Sequence, residues 1–72
     1  MKIVYDKKQD ILYIEFKDTT VTTKRLDEDV ALDYDESGTL AGIEVLSASE
    51  RLHFDRKQPK IELHQILASA RG

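Results

Sequence analysis

Three stretches of the chain place an apolar side chain at every second position: Leu12-x-Ile14-x-Phe16, Val30-x-Leu32-x-Tyr34 and Ala41-x-Ile43-x-Val45. Successive side chains of an extended chain point to opposite faces, so this spacing specifies strands with one face buried and the other solvated. A shorter run, Ile3-Val4-Tyr5, reads as a strand ahead of them, joined through the polar stretch Asp6-Lys7-Lys8-Gln9-Asp10. Asp35-Glu36-Ser37-Gly38 suits a type I turn whose last residue takes positive φ, where glycine meets no steric cost. Two hairpins follow. Between them Thr19-Thr20-Val21-Thr22-Thr23-Lys24 is β-prone but mostly polar, which suits an exposed or edge segment.

The hairpins resemble each other. A shift of 29 residues lays Tyr5-Asp6 on Tyr34-Asp35 and Ile14-Glu15 on Ile43-Glu44, the mark of one supersecondary unit used twice. The second hairpin also imitates a calcium loop: within Asp33 to Glu44, oxygen-bearing residues stand at positions 1, 3 and 5, Gly38 at 6 and Glu44 at 12. An EF-hand loop joins two amphipathic helices, whereas Asp27-Glu28-Asp29 precedes this one and strand alternation runs through it. Calcium binding through residues 33–44 is therefore the secondary reading, and no metal or cofactor is expected.

After Leu46 the pattern changes. Ser47-Ala48-Ser49-Glu50 matches a capping box and predicts a short helix through Leu52 or Phe54. Pro59 is placed to open a second helix, with Leu63, Ile66, Leu67 and Ala70 on one face, although Ile61-x-Leu63 also fits a strand. The expected fold is α+β: a single domain over 1–72, with a four-stranded antiparallel meander in 1–46 and a helical tail in 47–72 packed on its apolar face. The expected core is Ile3 or Val4, Leu12, Ile14, Phe16, Val30, Leu32, Ile43 and Val45. A domain of this size buries only about 60% of its unfolded surface. The chain has no Cys to form a disulfide, so self-association is expected to complete the core.

The formal net charge is −3, which argues against nucleic-acid binding driven by phosphate neutralisation. Residues 1–46 carry six Lys or Arg against eleven Asp or Glu, whereas 47–72 carry five against three. No apolar run approaches the roughly 18 residues of a membrane span. Charges interrupt the N-terminus before an apolar signal segment forms, and the expected location is the cytoplasm. No catalytic constellation stands out. His53 and His64 lack zinc-binding spacing, Ser47 and Ser49 are explained by capping, and Tyr5, Tyr13 and Tyr34 by packing. The chain is expected not to be an enzyme.

Tyr5-Asp6, Asp10-x-Leu12-Tyr13-Ile14, Asp29-x-Ala31-Leu32-Asp33-Tyr34-Asp35-Glu36-x-Gly38 and Gly42-Ile43-Glu44-Val45-Leu46-x-Ala48-Ser49 resemble the domain-of-unknown-function 2283 family over roughly Lys2 to Leu52. The resemblance implies a β-rich fold, no established activity, and frequent encoding beside a second small protein in arrangements suggestive of toxin–antitoxin modules. The resulting expectation is an acidic, non-enzymatic interaction protein, antitoxin-like, that binds a small basic effector encoded nearby. Asp33, Asp35 and Glu44 are the candidate partner-binding residues.

Overall fold

In a computed structural model, residues 1–66 are described. Five strands form one antiparallel sheet: β1 (Lys2–Asp6), β2 (Ile11–Glu15), β3 (Thr22–Arg25), β4 (Val30–Tyr34) and β5 (Leu40–Val45), in the order β1-β2-β5-β4-β3. The sheet is thus mostly as its alternation dictates, but it is neither four-stranded nor a meander. The polar segment between the hairpins supplies β3, a fully exposed edge strand paired with β4. β5 returns to the centre of the sheet, against β2.

That central pairing explains the 29-residue repeat. Ile14 faces Ile43 directly across β2 and β5, and Leu12 faces Val45. The two hairpins are therefore related by an approximate two-fold axis between Ile14 and Ile43, with β1 and β4 in equivalent flanking places. The repeated Tyr-Asp pairs open turns that share one bond and differ in the next: Asp6 Oδ1 accepts from the Lys8 and Gln9 amides, and Asp35 Oδ1 from those of Ser37 and Thr39. Asp27 does the same in the β3–β4 turn, accepting from the Asp29 and Val30 amides. Aspartate side chains close such turns by standing in for a backbone carbonyl.

Registers put Ile3 and Tyr5, Leu12 and Ile14, Val45 and Ile43, and Val30 and Leu32 on one apolar face. Its cover is small. Helix α1 (Ala48–Arg51) buries Ala48 against Leu12 and Val45, while Phe54 meets Tyr5 edge-on with ring centroids 5.1 Å apart. The helix starts where the capping box predicts, but Ser47 adopts φ 50° and makes no side-chain cap. Its place is taken by Asp10, distant in sequence. The Asp10 carboxylate accepts from the Ser49 amide (3.0 Å) and hydroxyl (2.7 Å), and the Asp10 carbonyl from the Ala48 amide (2.9 Å). At the other end His53 has φ 57° and the Phe54 amide donates to the Ser49 carbonyl, closing a Schellman cap.

The helical tail expected from Pro59 is not formed in its described part: residues 59–66 have no regular structure, and Leu67 and Ala70 lie outside the described residues. The core is correspondingly thin. Leu12 and Val45 are buried, Ile14, Val30, Leu32 and Ile43 are half-buried, and Ile3, Val4 and Phe16, expected inside, are exposed.

The opposite face is closed by polar side chains reaching over small residues. Ala31 lies between Glu44 and Arg25 in register, and those two pair above it at 3.5 Å, leaving Ala31 buried. Beside it the Tyr13 phenol crosses Gly42 to reach Asp33 at 2.7 Å. A Cβ on Gly42 would stand 2.5 Å from the Tyr13 hydroxyl and 3.1 Å from the Ile14 carbonyl.

Three consequences are measurable. Gly42→Ala should destabilise by about 1–3 kcal/mol through overpacking, and by less when Tyr13→Phe removes the hydroxyl, as read by denaturant unfolding. Gly38, at φ 82° with open space around it, should cost about 1 kcal/mol as Ala through backbone strain alone.

The third consequence concerns acid. Lys17 and two turn amides lower the Asp35 pKa, backbone amides lower that of Asp27, and burial raises Asp10 but is outweighed by donors from Tyr5 and Ser49. A lowered native pKa contributes stability above the unfolded value near 3.8 and loses it as pH falls through the native one. Melting temperature should therefore drop below about pH 4, and less steeply in Asp35→Asn, whose amide oxygen still closes the turn while the Lys17 pairing is gone. Equal slopes by circular dichroism would contradict this.

Candidate functional site

The three acidic residues singled out in the sequence are engaged within the fold. The Asp35 carboxylate folds into its own turn, buried, with Oδ2 2.9 Å from Lys17 Nζ. Asp33 accepts from the Tyr13 phenol and, through Oδ1, from the Thr23 hydroxyl. Glu44 is on the same face as Asp33 and pairs with Arg25. The segment from Asp33 to Glu44 is strand end, tight turn and strand rather than a loop wrapped around a cation. Among the described residues no three His, Cys, Asp or Glu side chains converge as metal ligands would.

The same geometry leaves no activated group in this cluster. The hydrogen bond to Asp33 and then desolvation push the Tyr13 phenol up to about 12, so at neutral pH it is a donor and not a base. Tyr5 is likewise pushed up to about 12, by desolvation and then by its bond to Asp10. Ser49 donates to Asp10 without an intervening imidazole, and Asp10, its pKa lowered by the donors around it, is a weak base. His64 is exposed beside Glu62, and His53 is exposed at the helix end.

What remains open is apolar. Ile14 and Ile43 lie at the centre of the sheet, yet neither is fully buried; Ile3 and Phe16 beside them are 42% and 37% exposed. Among the described residues the helix and Phe54 lie toward the end of this face near Tyr5, Leu12 and Val45, with Ile14 and Ile43 packed against that cluster. There the chain beyond the helix encloses a cleft of about 360 Å³, lined by Tyr5, Leu12, Phe54, Pro59 and Ile61 among others. It then leaves the sheet with Leu63 97% and Ile66 85% exposed. Sequence alternation identifies the face and leaves its core for association to complete; what it does not reveal is that the described part of the tail forms no helix over it. The candidate site is thus an apolar surface of sheet and tail.

The family model described as "Protein of unknown function (DUF2283)" matches residues 2–49, the sheet and the start of α1. "Uncharacterized protein MJ0789" of Methanocaldococcus jannaschii is 39% identical over 57 residues, covering 78% of this chain and 48% of the relative. The matched stretch is therefore about half the length of that protein. No solved structure matches significantly. The repeated Tyr-Asp turns, the Asp10 clamp on Ser49 and the Gly42 crossing all fall within the matched residues, and the chain belongs to the DUF2283 family.

Proposed function

We propose that this chain is a non-enzymatic interaction protein whose contact surface is the apolar sheet face with its adjoining tail. One observation carries the reading: the central pair Ile14 and Ile43 is left half-exposed, flanked by exposed Ile3 and Phe16. Contiguous apolar surface of this kind marks sites of protein association. Asp33, Asp35 and Glu44 already have partners within the fold. They serve stability, and the acidic excess of residues 1–46 acts at longer range by favouring a basic partner. An antitoxin-like pairing in the cytoplasm with a small basic effector encoded nearby is consistent with that charge.

The test is co-purification with the product of the adjacent reading frame. Ile3→Lys combined with Phe16→Lys alters side chains that are already exposed, so it should leave the circular dichroism spectrum unchanged and abolish association. Glu44→Gln should lower the melting temperature slightly and leave association intact. The opposite pattern, with association lost only in Glu44→Gln, would restore the acidic residues as the docking surface.

A further inference from the structure

The sheet has two edges, and they are not alike. β3 forms one of them with Thr22, Thr23, Lys24 and Arg25, and adjacent cations of this kind keep a second chain off an open ladder. β1 is the other edge. Its five residues read Lys2-Ile3-Val4-Tyr5-Asp6, with unlike charges at the two ends and apolar side chains between them. Its inner side is occupied by β2. Beyond that ladder no backbone hydrogen bond among the described residues involves positions 2 to 6, so the outward amides and carbonyls of β1 have no backbone partner.

The side chains of this strand are also incompletely used within one copy. Val4 is 44% exposed although apolar and β-branched, and alternation puts it with Lys2 and Asp6 on the face opposite Ile3 and Tyr5. The helix and Phe54 lie against the other face, where Ile3 is still 42% exposed. Lys2 stands opposite Glu15 of β2, yet it forms no ion pair among the described residues. Asp6 accepts both turn amides through Oδ1, so a cation can reach Oδ2 without loosening the turn.

An antiparallel partner strand related by a two-fold axis at Val4 meets each of these needs. That register sets Lys2 opposite the other copy's Asp6, Ile3 opposite its Tyr5, and Val4 opposite its Val4. Unlike charges and apolar pairs directly opposed are what stabilise a ladder, and like charges oppose it. The register is selective. A slip of one residue sets Lys2 against Tyr5 or against Lys7, losing both ion pairs. The same operation on β3 brings no carboxylate to either strand.

We infer that β1 is a dimerisation edge, to which a second copy adds its own β1 antiparallel about Val4 to give one continuous sheet across both copies. Such a contact uses each β1 once and closes, with β3 left outside it. It goes beyond the proposed contact with an effector, because the apolar face is extended across the axis and not occupied. One added ladder is a small interface, so dilution reverses it.

The full-length protein should therefore double in mass by light scattering as its concentration is raised. Lys2→Glu opposes like charges at both ends of the ladder, and so does Asp6→Lys; each should raise the dimer dissociation constant about tenfold. Mixing the two variants should restore the dimer, because every opposed pair between them is again of unlike charge. The chain has no Cys, and this gives a second test that leaves the Asp6 turn intact. A short bismaleimide should join two Val4→Cys chains and leave Thr23→Cys chains, altered on the opposite edge, single. Phe16→Lys, on the apolar face, should leave the dimer unchanged. A chain that is monomeric at every concentration overturns the inference, as does Thr23→Cys joining as readily as Val4→Cys. A dimer indifferent to Lys2→Glu but lost with Phe16→Lys also overturns it, and assigns self-association to the apolar face instead.

Discussion

The contact between Ile14 and Ile43 organises this molecule. It joins the two copies of the hairpin unit, puts β2 beside β5, and leaves β1 and β4 to flank them. Because the pair lies on an approximate two-fold axis, its surroundings are set twice over by the same sequence elements: a tyrosine-aspartate turn on each side and an isoleucine-glutamate pair at the centre. In a larger protein such a pair would be sealed by a second layer. Among the described residues the second layer is a single turn of helix, too short to cover a five-stranded sheet at ~1.5 Å per residue, so the most central contact of the fold is only partly buried.

That helix is held from outside itself. A four-residue helix has no independent stability, since nucleation alone is unfavourable. Asp10 compensates by supplying a carboxylate and a carbonyl to the first amides of α1, and Arg51 at its other end bridges to Asp27 and Asp29 of the β3–β4 turn. Both anchors come from turns between strands. The second layer is therefore positioned by the sheet's connections rather than by apolar burial, and Ala48, the helical side chain that does enter the core, brings little apolar area with it.

Much of this was legible in the sequence and some was not, for physical reasons. Strand alternation marks β2, β4 and β5 because their two faces have different surroundings, and the 29-residue repeat marks the hairpins. β3 carries no alternation, since Thr22, Thr23, Lys24 and Arg25 are exposed on both faces of an edge, and without it the order collapses to a meander. The capping box failed at Ser47 because a better acceptor, Asp10, arrives through tertiary structure. Local spacing cannot reveal a partner so far away. Ile3 and Phe16 were assigned to the core on pattern alone, and pattern specifies which face is apolar without specifying what covers it.

The acidic residues are already engaged within the fold. Asp6, Asp27 and Asp35 each accept from backbone amides that a tight turn would otherwise leave unpaired, Asp33 holds Tyr13 across Gly42, and Glu44 meets Arg25 over Ala31. Each carboxylate is committed to keeping one turn or one cross-strand contact in place. Rotating it outward toward a partner would return those donors to competition with water, and the fold has few other contacts to absorb the loss. Apolar side chains carry no such commitment. Leu63 and Ile66 are exposed, and Phe16 gains from any cover, so association through them would add to the stability of the fold where association through the carboxylates would subtract from it.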